Sequence, residues 1–207
     1  MPRSVLLLRH GETEWNAASR LQGRGDSPLT ARGEASADAF AAYCASRGVR
    51  RVVASPLGRA QRTAERIASR CSCELETESA LVEMDFGTCS GLTLREIADR
   101  FPGLAVAREK ARWMTRWPEG ESYADLERRI GEWWESAPAR FAEPPPALVA
   151  HGALLRALRR VLTGESEEQV LVRMLSGAML WEIRAGGECL ELEAPVSDSG
   201  DRASRER

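Results

Sequence analysis

The chain has 207 residues, 43% hydrophobic and 29% charged, a balance that fits one soluble globular domain with room for a real core. Its net charge of −2 argues against a nucleic-acid partner, which draws a basic surplus. No apolar stretch approaches a membrane span, and only four apolar residues run together near the amino terminus, short of a signal-peptide core. The five cysteines are odd in number and irregularly spaced, which suits a reducing compartment, so a cytoplasmic location is expected.

Val5-Leu6-Leu7-Leu8-Arg9-His10 reads as a buried strand that leaves its sheet at Gly11. A polar loop from Glu12 to Pro28 precedes a helix starting at Thr30. Ala37, Phe40, Ala41 and Cys44 recur there at helical spacing, and Gly48 supplies the stop. Arg51-Val52-Val53-Ala54 is a second short strand, ending in Ser55-Pro56. A helix from Gly58 to Arg70 and a weak strand over Glu74 to Thr77 follow.

Leu94 to Arg100 is predicted as a short helix stopped before Pro102, and Leu104 to Thr115 as another. Ser122 with Asp125 three residues on is a capping signal for a helix running towards Phe141. Pro144-Pro145-Pro146 then leads into the strand Ala147-Leu148-Val149-Ala150, closed by His151. Ala153 to Leu162 is helical, with Thr163-Gly164 as its stop, and a short helix follows Ser166. Ala178 to Arg184 and Glu188 to Glu193 flank Gly186-Gly187 as a hairpin at the sheet edge, which also offers a surface for a homodimer.

Strands alternating with helices predict an α/β three-layer sandwich: a mainly parallel central sheet, helices on both faces and an antiparallel edge strand. No linker or repeat divides the chain, so residues 1–196 are expected to form a single domain. The polar tail 197–207 is expected to be disordered.

The chemistry sits at strand ends. The chain has only two histidines, His10 and His151; each closes an apolar run and is followed at once by glycine. Ligands of open α/β sheets bind outside the carboxyl ends of strands. In a parallel sheet, Arg9-His10, Ser55-Pro56-Leu57-Gly58-Arg59 and His151 then share one edge. Arg9 and Arg59 offer planar forks of donors to a phosphate, and with an imidazole they balance its charge without a metal or other cofactor. Neutral imidazole is a nucleophile near pH 7, and neighbouring arginines disfavour its protonation. A carboxyl group at the leaving oxygen would act as general acid and then as base towards water. Glu83, in an otherwise apolar stretch, and Asp85 are both candidates, and the chemistry alone does not choose between them.

Leu8-Arg9-His10-Gly11-Glu12-Thr13, with Trp15-Asn16 after it, resembles the signature of the histidine phosphatase superfamily, the phosphoglycerate-mutase-like proteins. The resemblance extends through Leu21-Gln22-Gly23, Asp26 to Thr30, Ala54 to Ala60, Glu83 to Gly91, Gly120-Glu121-Ser122 and Ala150-His151-Gly152, in the family's order. It implies a phosphoglycerate-mutase-like fold and a nucleophilic His10 that becomes phosphohistidine. It implies too that Arg9, Arg59 and His151 hold the phosphoryl group, with Asn16 adding a contact. Gln22, Gly23 and Gly152 would lie beside the substrate, and Glu83, rather than Asp85, would exchange the proton.

The mutase branch resembles the chain up to Glu83 and then carries a longer insertion with a basic stretch that grips a second acidic group. The short interval from Glu83 to Gly120, and the Gly87 to Leu92 segment, resemble the phosphatase branch instead. The expectation is a metal-independent phosphatase for a small phosphorylated metabolite. A phosphoglycerate mutase and a phospho-ligand-binding protein without turnover are the alternatives. Arg108, Lys110, Arg112 and Arg116 are candidates to face the site. Trp113 and Trp117, one helical turn apart, are either core or a roof over the pocket.

Overall fold

Alternation along the first strand decides which layer lies on which side. In β1 (Ser4–Arg9), Leu6 and Leu8 pack into one apolar cluster while Val5 and Leu7 pack into another, as side chains of successive strand residues must. The computed structural model describes residues 4–136, 145–173 and 179–194.

After β1 come a one-turn helix α1 (Glu14–Ala17), α2 (Ala31–Ser46), β2 (Arg51–Ala54), α3 (Gly58–Cys71) and β3 (Glu74–Thr77). Next are α4 (Leu94–Arg100), α5 (Pro102–Ala111), α6 (Tyr123–Ser136), β4 (Ala147–Ala150), α7 (Gly152–Thr163) and α8 (Glu167–Leu171). The antiparallel pair β5 (Met179–Arg184) and β6 (Cys189–Glu193) closes the described chain. The sheet order is β3-β2-β4-β1-β5-β6. The first four strands run parallel, β5 runs antiparallel beside β1, and β6 pairs antiparallel with β5.

Phe40 of α2 and Ala60, Ala64 and Ile67 of α3 cover the face bearing Leu6, Leu8, Val52 and Val149. Leu126 and Ile130 of α6, with Leu154, Leu155 and Leu158 of α7, cover the face bearing Leu7, Val53 and Leu148. The expected three-layer sandwich is therefore present, with two antiparallel strands beside the parallel ones rather than one. β5 is an inner strand, and its Trp181 and Ile183 belong to the core.

Two predicted boundaries move. The helix expected over Leu104 to Thr115 runs from Pro102 to Ala111. Proline suits the first helical position, where no N–H partner is lost and φ is already set. Beyond Ala111 the chain turns so that Trp113 points inward, stacked on Tyr123 at 4.7 Å and donating Nε1–H to Glu127 at 2.9 Å. The helix after Ser122 is described to Ser136; its expected continuation to Phe141 lies outside the described residues, as do Pro144, Ala178 and the tail 197–207. Among the described residues no helix is long and apolar enough to cross a membrane.

Candidate active site

The register of two neighbouring strands brings the histidines together. Arg9 of β1 lies opposite Ala150 of β4, and the His10 amide donates to the Ala150 carbonyl at 3.0 Å, so both strands end at one level. The His10 and His151 rings lie 5.1 Å apart, centroid to centroid. Ser55 leaves β2 at the same edge, its amide bound to the Val149 carbonyl at 3.0 Å. α3 then starts at Gly58 and aims Arg59 back over the strand ends.

His10 is almost fully buried. Its Nδ1 donates to the Gly11 carbonyl at 2.8 Å, which places the ring proton on Nδ1 and leaves Nε2 unprotonated. Arg59 donates Nε–H to that Nε2 at 3.1 Å. Burial, then the charges of Arg9 and Arg59, hold the His10 pKa well below the usual 6.5. Burial acts the same way on His151, reinforced by His10, Arg59 and Arg9. Both imidazoles are neutral near pH 7.

The loop between β1 and α2 fixes Arg59. Its Nη2 donates to the Gly23 carbonyl at 2.8 Å; its Nη1 donates to the Gly25 carbonyl at 2.6 Å and to Asp26 at 3.0 Å. Asp26 also accepts from the Arg59 amide at 3.3 Å, so one carboxylate orients both ends of this residue. Asn16 uses Oδ1 to accept from the Thr13 amide, a capping box that turns α1 and presents Asn16 to the cavity. Gln22 donates to Thr13 Oγ1 at 2.6 Å and accepts from Ser27 at 3.2 Å, so it braces the loop while lining the cavity.

Glu83 sits at the start of α7. Its carboxylate accepts from the amides of Met84 at 2.8 Å, Leu154 at 3.0 Å and Ala153 at 3.2 Å. This corrects the apolar setting expected for it: three backbone donors and a helix N-terminus surround the group. Asp85 instead accepts from the Gly87 amide and pairs with Arg24, away from the histidines. Arg129 of α6 clamps the irregular segment carrying Glu83, donating to the carbonyls of Ala80 at 2.7 Å and Val82 at 3.0 Å. Arg129 also pairs with Glu121, whose other oxygen accepts from the Asp85 amide at 2.8 Å.

Above the strand ends lies a cavity of about 720 Å³. Its floor includes Arg9, His10, Asn16, Gln22, Gly23, Arg59, Glu83 and Gly152, while α4 and α5 form its roof with Leu94, Ile97 and Leu104. His151 is fully buried behind this wall and is not itself part of the lining. Six arginines face the cavity against two glutamates, Glu83 and Glu109, which suits an anionic ligand. Of the four cap cations considered, Arg108 and Arg112 line it; Lys110 and Arg116 do not. Arg108 stacks 3.9 Å over the Trp117 ring, and burial, with Arg112 nearby, pushes its pKa down to about 10. Of the two tryptophans, Trp117 joins the roof and Trp113 belongs to the core.

Ser55, Asp26 and Glu121 lie within the sequence motifs without an expected role, and each bonds another part of the site: Ser55 to His151, Asp26 to Arg59 and Glu121 to the Asp85 amide. Arg129 and Arg156, which lines the cavity with Gly152, lie outside every motif.

This geometry gathers both histidines and several arginines around one cavity at the strand ends of an α/β sheet. The model of the histidine phosphatase superfamily (branch 1) matches residues 5–195, and the chain belongs to that superfamily. It is 33% identical, over 96% of its length and 99% of the relative's, to a protein named probable phosphoglycerate mutase GpmB from Salmonella arizonae. Among solved structures it is similar to mycobacterial glucosyl-3-phosphoglycerate phosphatase in complex with VO3, with TM-score 0.79 and 26% identity over 93% of this chain and 98% of that one. Bacillus stearothermophilus YhfR gives TM-score 0.81 and 26% identity over 92% and 95%.

Proposed function

We propose that the protein is a phosphatase that hydrolyses small phosphate monoesters in two steps through phosphorylated His10. The observation that carries this reading is the His10 environment: a neutral imidazole whose proton is tied to the Gly11 carbonyl and whose Nε2 lone pair is held beside Arg59. In the first step Nε2 attacks phosphorus, the P–N bond forms, and the ester P–O bond breaks. Glu83 delivers a proton to the departing oxygen, then takes one from the water that cleaves the P–N bond. Arg9 and Arg59 neutralise the phosphoryl oxygens, with Asn16 as a further donor. A metal is not required by this charge balance, and the arginines would repel a cation placed among them.

Supporting the reading are the phosphatases among its structural relatives and a roof made mostly of apolar side chains. A panel of phosphate monoesters, assayed for released phosphate with the parent and with His10→Ala, tests it. Hydrolysis by the parent and none by the variant is expected; equal rates would overturn it.

A second reading, phosphoglycerate mutase, is favoured by one observation besides the name of the relative. Arg108 and Arg112 face the cavity and form no ion pair among the described residues, so they are suited to a second acidic group. Interconversion of 3- and 2-phosphoglycerate in the presence of bisphosphate, faster than phosphate release, would select this reading.

A further inference from the structure

We propose that Ser55 is a positioning residue that fixes the tautomer of His151, so that His151 offers an Nδ1–H to the phosphoryl group at His10. The catalytic consequence rests on the phosphatase reading; the tautomer itself does not.

Ser55 Oγ lies 2.7 Å from His151 Nε2, and both residues are fully buried. A hydroxyl has one proton to give and two lone pairs with which to accept. One lone pair of Oγ already takes the Leu57 amide proton at 3.3 Å. Among the described residues Oγ has no acceptor for its own proton other than His151 Nε2. Were Nε2 protonated instead, the hydroxyl proton and the Nδ1 lone pair would both be buried without partners; with Nδ1 protonated only the Nδ1–H lacks one, and folded proteins keep such groups few. Nε2 is therefore the acceptor.

Burial, with His10, Arg59 and Arg9 nearby, keeps His151 neutral, so the ring carries a single proton and that proton is on Nδ1. Nδ1 is buried and has no partner among the described residues, while the ring lies 5.1 Å from that of His10. An N–H held ready and unpaired beside the nucleophile suits a phosphoryl oxygen. The two imidazoles thus share one tautomer for opposite ends. His10 presents a lone pair from Nε2, because Gly11 takes its Nδ1 proton; His151 presents a proton from Nδ1, because Ser55 occupies its Nε2. With the opposite tautomer, His151 would turn a lone pair towards the phosphoryl oxygens and repel them.

The strand register makes this pairing possible. Ala54 of β2 lies opposite Val149 of β4, and the Ser55 amide is fixed to the Val149 carbonyl, so Oγ stands beside the residue that ends β4. A purely structural Ser55 would serve only the Leu57 amide at the turn into α3.

Because the chain has only two histidines, long-range proton–nitrogen spectra resolve both imidazoles, with His10→Ala assigning them. The expected parent spectrum shows two neutral rings, each protonated at Nδ1. Ser55→Ala should move His151 towards the Nε2–H form and leave His10 unchanged. Its kcat on p-nitrophenyl phosphate should fall by about 10²-fold, the usual loss of one donor to a developing oxyanion. Ser55→Thr, which keeps the hydroxyl, should retain the parent tautomer. A parent spectrum with His151 protonated at Nε2, or a His151 unchanged in Ser55→Ala, would overturn the proposal; the parent spectrum decides even if the alanine variant does not fold. A parent that hydrolyses no phosphate ester would overturn the phosphatase reading alone, since the tautomer is read without turnover.

Discussion

Arg59 donates its Nε–H directly to the Nε2 of His10, at 3.1 Å, so the most buried guanidinium of the pocket touches the atom assigned as nucleophile. This contact lowers the proton affinity of His10, and in the proposed mechanism it marks where a phosphoryl group would enter. An incoming phosphate takes over the Nε–H, while the carbonyls of Gly23 and Gly25 and the Asp26 carboxylate keep the rest of the fork in place. Arg59→Ala should therefore lower kcat/KM by at least about 10²-fold. Arg59→Lys should recover little, since a point charge cannot reach Asp26, Gly25 and His10 together. Steady-state assays of both variants check this, and near-parent activity in the lysine variant would contradict the fork's role.

The depressed histidine pKa values set the acid side of both activity and stability. In the unfolded chain each imidazole takes up a proton as pH falls through about 6.5, while in the folded protein both stay neutral until well below that value. The unfolded state then binds more protons, so stability should decrease as pH falls below about 6.5, with up to two protons of slope, and should gain nothing from these groups above it. Urea unfolding across this window measures the slope in the parent and in His151→Gln, where it should be smaller. Correspondingly, kcat/KM should show no loss of nucleophile near pH 6.5.

Glu83 and Arg129 should share a signature. Glu83→Gln removes the proton donor, so hydrolysis of alkyl phosphates should fall by about 10²–10⁴-fold, while 2,4-dinitrophenyl phosphate, which needs no proton to leave, should lose much less in its first step. Arg129→Met frees the Ala80 and Val82 carbonyls and lets the Glu83 segment shift. It should reproduce the same dependence on leaving group, more weakly. A uniform loss across leaving groups would assign Arg129 to general stability instead.

Two glycines allow the His10 loop to lie against the first turn of α2. A Cβ on Gly33 would stand 2.0 Å from the Glu12 carbonyl oxygen, and one on Gly11 would stand 2.3 Å from that of Gly33. Since both obstacles are backbone, Gly33→Ala should destabilise the fold by about 1–3 kcal/mol and also lower kcat. Denaturant unfolding checks the first effect, and an unchanged midpoint would show that the loop can yield.

The parallel core and the meeting of the two histidines were legible in the sequence, because apolar runs ending in His-Gly mark strands buried on both faces and strand ends at one edge. The six-residue run that ends in His10 and the four before His151 needed no further context. What escaped depended on partners far apart in the chain. Glu83 stands in an apolar sequence, and its polar surroundings come from amides 70 and 71 residues away, at Ala153 and Leu154. Arg59 reads as a phosphate ligand from the sequence, but the carbonyls of the preceding loop that draw it inside are not visible there. Pattern alone set Trp113 and Trp117 one helical turn apart and left both as either core or roof; the turn after Ala111 sends the first to Tyr123 and leaves the second in the roof.

The account stands on covalent transfer to His10. Rapid acid- or denaturant-quench of the enzyme during turnover, followed by phosphorus NMR and peptide mass mapping under alkaline conditions, tests that transfer directly. One phosphoryl group on the His10 imidazole, formed as fast as the alcohol is released and absent in His10→Ala, is the predicted result. Steady turnover with His10 unmodified at every quench time, and phosphate released in step with the alcohol, would contradict it.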